Sequence, residues 1–173
     1  MDFKSTKFEI KELAPDGSFT GTASVFHSVD LQGDAVMPGA FAKSLQEKPQ
    51  VPILLGHNVD DIIGITTSLE ETHAGLAVTG KLVMDANPPA QKAYALMRAK
   101  ALTGLSIGFT ATREKMQNGV RQLLEIKLFE ISLTGFPACE GAQVASVKTL
   151  PPDHREELAA INQLRQMIRK ATP

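Results

Sequence analysis

Apolar residues alternate with polar ones, or run on without interruption, in about seven short stretches of the chain, a pattern typical of β-strands. Turn-forming residues separate them, among them Pro15-Asp16-Gly17-Ser18 and Asn118-Gly119. An Asn-Gly pair between two such stretches is the strongest local signal for a β-hairpin. The predicted strands are residues 8–13, 19–27, 51–55, 62–69, 75–83, 102–113 and 121–136.

Three other stretches have helical spacing. Residues 40–45 place Phe41 and Leu45 on one face, and residues 87–99 begin with Asn87 as a possible cap before two prolines. Residues 153–170 repeat apolar positions at helical intervals after Pro151-Pro152. This last helix either packs on the preceding domain or serves as a docking tail for a shell or scaffold.

The order of these elements predicts a mainly β protein with helices, of the α+β class. We expect a mixed or antiparallel β-barrel of about seven strands, decorated by two or three helices. The length of 173 residues fits one domain, which we place at residues 1–150, followed by the C-terminal amphipathic helix or tail at residues 151–173.

Charge and composition exclude several classes of function. The formal net charge is −1, so the chain lacks the basic surface that nucleic-acid binding requires. It has no signal-peptide pattern and no apolar run long enough to span a bilayer, which predicts a cytosolic protein without a membrane partner. Cys139 is the only cysteine and excludes an intrachain disulfide; we favour a small buried residue there over a nucleophile. No cofactor motif is present.

The strand around Ser106 is the first candidate for chemistry. Alternation puts Gly104, Ser106 and Gly108 on one face and apolar residues on the other. Glycine weakens a strand, so two of them beside a serine indicate close approach by another backbone or a substrate. The competing interpretation is a strand on which a helix packs against small residues.

A serine nucleophile needs a base, and His57 is the best placed histidine because it follows a short apolar strand at Gly56-His57-Asn58. His27 is the second choice, and a structural role for either histidine stays open. A third group should orient the imidazole.

Glu130 is the candidate for that third role. Alternation along residues 124–133 places Glu130 with Leu124, Ile126 and Leu128, whereas Glu125 lies on the other face. A carboxylate among apolar residues requires a partner, which could be His57 or a cation such as Lys81 or Arg98. A β-bulge would exchange the faces and give the role to Glu125.

Taken together, these segments resemble the prohead maturation proteases of tailed double-stranded DNA phages, which are distantly akin to the herpesvirus assemblin. The matching segments cover residues 5–147 in the order of the family. They are Asp30-Leu31-Gln32-Gly33-Asp34, Pro38-Gly39-Ala40-Phe41, Leu55-Gly56-His57-Asn58, Leu105-Ser106-Ile107-Gly108-Phe109, Glu130-Ile131-Ser132-Leu133 and Phe136-Pro137-Ala138.

The resemblance implies a serine endopeptidase with a herpesvirus-protease-like fold, with Ser106 and His57 as the catalytic pair and Glu130 in the third position, where the herpesvirus relatives have a second histidine. It further implies that the enzyme cuts scaffold or major capsid protein segments, and itself, inside the immature capsid in the host cytoplasm. Self-association, as a dimer, is expected as well.

Two other functions are compatible with the residues. A metal-dependent hydrolase could use His27, Asp30 and Asp34, which cluster in one loop, although their spacing matches no strong metal motif. Alternatively, the barrel could be a non-catalytic capsid assembly module, because a fold does not by itself require catalysis.

Overall fold

The computed structural model describes residues 15–135 and the backbone of residues 144–147. Within these ranges the chain forms eight strands and two helices. In chain order they are β1 (Ser18–Val25), β2 (Asp34–Val36), α1 (Ala42–Glu47), β3 (Pro52–Leu55), β4 (Asn58–Glu71), β5 (Gly75–Leu82), α2 (Pro88–Arg98), β6 (Gly104–Gln117), β7 (Val120–Thr134) and β8 (Val144–Val147).

All eight strands belong to one mixed sheet. Its order is β2-β7-β3-β4-β5-β1-β8, and β6 pairs with β7 as well. The short strands β2 and β3 run parallel to β7, whereas the other pairs are antiparallel. Although β1 and β6 are far apart in this order, they line one cleft, because the sheet curls into a partial barrel.

The β6–β7 hairpin is the longest pairing and positions the site. Asn118 and Gly119 form its two-residue turn, with φ values of 53° and 80°. Left-handed conformations at both central positions are those of a type I′ turn, which matches the twist of the two strands. In the register of this hairpin, Ser106 lies opposite Ser132 and Gly108 lies opposite Glu130.

Side chains accept backbone N–H groups at the start of α2 and in the segment that leads into α1. The Asn87 side chain accepts a hydrogen bond from the N–H of Ala90, as the sequence predicts for a cap of α2. The segment that leads into α1 is held by a residue of β4. The Glu71 carboxylate accepts hydrogen bonds from the N–H groups of Gly39 and Phe41 at 3.0 and 2.7 Å. This anchor links α1 to the end of β4.

The core fills the inside of the curled sheet with aliphatic and phenylalanine side chains. Two of its phenylalanine rings, Phe19 and Phe41, are fully buried, and Phe26 is nearly so. The other large, fully buried side chains are Ile53, Ile63, Leu76, Leu82, Leu105, Leu123, Ile126, Leu128, Ile131 and Leu133. Because Leu105 pairs with Leu133 and Ile107 with Ile131, this part of the hairpin turns one face to the core.

The predicted mainly β fold is confirmed, with differences at short or unpatterned elements. Six predicted strands and the first two helices are present; β2 and β8 were not predicted, and β2 falls in a segment interpreted as a loop. The predicted strand at residues 8–13, the helix at residues 153–170, the domain boundary at residue 150 and Cys139 lie outside the described residues. In the described part, neither helix has the length and apolar character required to cross a membrane.

Candidate active site

Ser106 lines a cleft between β1 and β6. The cleft has a volume of about 180 Å³. One wall consists of β1 residues 23–25, and the other of β6, including Ser106 itself. His57 lies in the same lining. The serine is half-buried, so its hydroxyl group stands at a surface that a substrate can reach.

His57 stands in the tight turn that joins β3 to β4. Gly56 and His57 both adopt left-handed backbone conformations, with φ values of 62° and 61°. The N–H of Gly56 donates to the carbonyl of Leu133, and the N–H of His57 donates to Ser132 Oγ at 3.0 Å. The His57 side chain is 46% exposed, so one side of the ring remains accessible.

Glu130 is the buried acid behind this histidine. Its Oε1 lies 2.7 Å from His57 Nδ1, and its Oε2 accepts a hydrogen bond from the Ser132 hydroxyl, also at 2.7 Å. A carboxylate can only accept, so the imidazole donates from Nδ1, and Nε2 is the ring nitrogen that can take up a proton. The arrangement fixes the tautomer that a general base requires.

The cations that sequence offered as alternative partners of Glu130 have other contacts. Lys81 lies 3.7 Å from Asp16, and the guanidinium of Arg98 lies 6.0 Å from the centre of the Tyr94 ring. Among the described residues, the ion pair that involves Glu130 is the one with His57. The expectation that Glu130 meets His57 therefore agrees with the geometry.

The sequence predicted the wrong face of β7 for Glu130 relative to Leu128. Strict alternation grouped Glu130 with Leu128, but the register shifts between Gly108 and Phe109, so that Phe129 is the extra residue of a β-bulge. Leu128 thus lies opposite Phe109 on the core side, whereas Glu130 lies opposite Gly108 on the side of Ser106. The bulge brings the acid to the serine's face.

Glu125, the alternative acid, lies elsewhere. Its Oε1 is 3.3 Å from Lys43 Nζ and 3.1 Å from the Thr112 hydroxyl. Hydrogen bonds from Lys43 and then Thr112 lower the pKa of the Glu125 carboxyl. A bulge does occur, yet Glu125 contacts Lys43 and Thr112 rather than His57.

Gly108 leaves space that the Glu130 side chain occupies. A Cβ atom at this position would lie 2.3 Å from Glu130 Oε1 and 2.8 Å from Glu130 Cγ. The protein group that approaches Gly108 closely is therefore the acid. Ser132 was missed, although it lies two residues after Glu130 and alternation places both on one face.

The loop proposed as a metal site uses its side chains differently. Asp30 Oδ1 accepts from the N–H groups of Gln32 and Asp34, which shapes the turn. Asp34 is buried and pairs with Arg121 at 3.0 Å, and His27 points to solvent. Within the described residues no three potential ligands converge on a metal position.

Comparison with known proteins gives similarity over most of the chain. The family model described as caudovirus prohead serine protease matches residues 4–155. The chain is 31% identical to a prohead protease of Enterobacteria phage HK97, covering 87% of this chain and 68% of that protein. It is 32% identical to a capsid polyprotein of Pseudomonas phage PAJU2, covering 95% of this chain and 25% of the polyprotein.

A solved structure of the KSHV protease in complex with a hexapeptide phosphonate inhibitor has a similar fold. The TM-score is 0.51, with 15% sequence identity, over 73% of this chain and 63% of that chain. At this level of identity the likeness concerns the fold alone. It agrees with the herpesvirus-protease-like architecture predicted from the sequence.

Proposed function

Since the chain belongs to the caudovirus prohead serine protease family, we propose that Ser106 is its nucleophile, His57 its general base and Glu130 the residue that orients the base. Membership in this family makes the chain a serine protease of prohead maturation, as the sequence predicted. The proposal concerns which side chains perform the reaction and on what substrate.

In the proposed reaction, Ser106 and His57 act in the cleft that they share, and Glu130 supports His57 through its hydrogen bond to Nδ1. As Ser106 Oγ attacks the carbonyl carbon of the scissile peptide, His57 Nε2 takes the hydroxyl proton and then delivers it to the leaving amine. Water hydrolyses the resulting acyl-enzyme with the same base. Glu130, bound to Nδ1, stabilises the imidazolium ion that exists during each transfer.

One observation supports this assignment above the others: the 2.7 Å contact between His57 Nδ1 and Glu130 Oε1, made by a histidine that shares its cleft with Ser106. The Glu130 side chain is 11% exposed, whereas the His57 side chain is 46% exposed. A buried carboxylate that supports a half-exposed imidazole is the arrangement of a general base and the group that orients it.

We infer that the substrates are segments of the major capsid protein or of a scaffold, together with the protease chain itself, and that cleavage takes place inside the immature capsid in the host cytoplasm. The similarity to both a prohead protease and a capsid polyprotein supports this choice. The open cleft between β1 and β6 gives an extended peptide direct access to Ser106.

Labelling with a fluorophosphonate probe tests the assignment without knowledge of the cleavage site. We expect the wild type to be labelled, and peptide mass spectrometry to place the label on Ser106. Ser106→Ala and His57→Ala should not be labelled, whereas Ser28→Ala, which removes another hydroxyl from the same cleft, should react normally. A label on another residue, or none on the folded wild type, would reject Ser106.

The alternatives have no comparable support. A metal-dependent hydrolase would lose activity on treatment with a chelator, and the carboxylates of its proposed loop already hold backbone N–H groups and Arg121. A non-catalytic assembly module would not react with the fluorophosphonate probe.

A further inference from the structure

We propose that Ser132 is a positioning residue of this active site, a role that rests on the proposed function of His57 and Glu130. Its side chain is completely buried in β7, directly opposite Ser106 in the β6–β7 register. Its hydroxyl group contacts both the acid and the base without reaching the substrate cleft.

The Ser132 hydroxyl makes two hydrogen bonds of opposite sense. It donates its proton to Glu130 Oε2 at 2.7 Å and accepts the backbone N–H of His57 at 3.0 Å. Since a hydroxyl has one proton and two lone pairs, both bonds can form at the same time. One side chain thus ties the orientation of the carboxylate to the position of the histidine backbone.

The first bond fixes the orientation of the Glu130 carboxylate toward the imidazole. Glu130 ends in a torsion with a broad, nearly two-fold preference, so an unrestrained carboxylate samples many orientations. With Oε2 held by Ser132, Oε1 is directed at His57 Nδ1. Gly108 supports this orientation from the other side, where any Cβ would overlap Oε1.

The second bond holds a backbone conformation that histidine rarely adopts. His57 has a φ of 61°, in the left-handed region, which costs free energy and persists only where the surroundings fix it. The bonds from Gly56 N to Leu133 O and from His57 N to Ser132 Oγ fix the turn to β7. Without the Ser132 hydroxyl group, the turn that carries the imidazole would lose one of these two hydrogen bonds to β7.

Ser44 provides a matched control for a purely structural role. It is also a buried serine, and its Oγ accepts the N–H of Leu128 in the same strand at 2.9 Å. Ser44→Ala therefore removes a buried hydroxyl that holds β7 at Leu128, whereas the hydroxyl of Ser132 contacts His57 and Glu130. If Ser132 only stabilised β7, the two alanine variants would behave alike.

The experiment compares Ser132→Ala, Ser132→Thr and Ser44→Ala with the wild type. Fluorophosphonate labelling of Ser106 should slow by roughly 10- to 100-fold in Ser132→Ala, the scale expected when a reacting group is misplaced by about 1 Å. Ser132→Thr, which retains the hydroxyl group, should recover most of the rate. Ser44→Ala should label at the wild-type rate in its folded fraction, as judged by thermal melting.

A spectroscopic measurement separates this proposal from the proposed catalytic function. In ¹H–¹⁵N spectra of the imidazole groups, assigned with His57→Ala, the Nδ1 proton of His57 should be sharp in the wild type and in Ser44→Ala. It should be lost or exchange rapidly in Ser132→Ala. This signal does not depend on Ser106 being the nucleophile, so it can be observed even if labelling fails.

Wild-type labelling rates and an unchanged His57 signal in Ser132→Ala would overturn the proposal. It would be overturned as well if Ser44→Ala slowed labelling as much as Ser132→Ala. Should Ser132→Ala not fold, Ser132→Cys, which keeps the shape of the side chain but has a larger atom and a weaker hydrogen-bond donor, is measured in its place with the same two outcomes.

Discussion

At the scale of the residue, four side chains and one glycine define the site: Ser106, His57, Glu130, Ser132 and Gly108. Ser106, His57 and Glu130 could be proposed from sequence, because a serine between two glycines of a strand, a histidine after a strand and an acid within an apolar run are local signals. The link from Ser132 to the histidine could not be predicted, since it joins a strand to a turn 75 positions earlier in the chain.

Replacing Glu130 by glutamine should distinguish its effect on the orientation of His57 from its contribution to packing. Glu130→Gln retains the side-chain volume, but its amide group can donate to Nδ1 and thereby favour the wrong tautomer. We expect the fold to persist and turnover to fall by about 10²- to 10⁴-fold, measured on a peptide that spans an identified cleavage site.

Glu125→Gln is the control for that substitution, because its carboxylate contacts Lys43 and Thr112 rather than His57. It should retain turnover within about two-fold of the wild type. If Glu130→Gln were equally active, a Ser-His dyad without the acid would describe the enzyme better.

Adding a single methyl group at position 108 should also disable the site. Gly108→Ala places a Cβ where Glu130 Oε1 now lies, so the carboxylate must move away from His57. We expect at least a ten-fold loss of turnover in a protein that still melts cooperatively. Gly135→Ala, whose new Cβ would meet no atom of the described residues within 4 Å, should be far milder. Equal effects of the two changes would contradict the steric argument.

At the scale of the element, the hairpin β6–β7 could be predicted and its bulge could not. Asn118-Gly119 between two apolar runs specifies the turn, and the observed φ values agree with a type I′ geometry. The extra residue at Phe129 depends on packing against β6, which period-2 counting ignores. Short strands such as β2, with three residues, carry too few positions to show a period.

The hairpin turn should influence stability without affecting chemistry. Gly119→Ala imposes a left-handed conformation, at a φ of 80°, on a residue with a side chain, which costs about 1 kcal/mol. The melting temperature should fall by about 2–4 °C. Because the turn lies more than about 30 Å along the strand from Ser106, the labelling rate of the folded protein should not change, and a large decrease would show that the hairpin end contributes to the site.

At the scale of the whole molecule, the curling of one mixed sheet creates the cleft. Strands β1 and β6 lie far apart in the sheet order and still line the same opening, with Ser106 and His57 at its surface. The fold class could be predicted from strand number and helix position, but the pairing of distant strands could not, because periodicity does not specify partners. The family assignment made from ordered motifs is confirmed by the match over residues 4–155.

Self-association remains a prediction at this scale. We expect the protein to form a dimer through a helix packed beside the active-site strands. Sedimentation velocity over a range of concentrations should show a monomer–dimer equilibrium, and labelling should rise with the dimer fraction. A species that stays monomeric at high concentration and still cleaves substrate would contradict this expectation.

Processing of the natural capsid substrate tests the central claim most directly. The protein is co-expressed with its capsid protein, and the products of the wild type, Ser106→Ala, His57→Ala and the double variant are identified by mass spectrometry. We predict defined cleavage by the wild type, none by either single variant and no further loss in the double variant, because the two residues act as one unit. Complete processing by Ser106→Ala or His57→Ala would contradict the account.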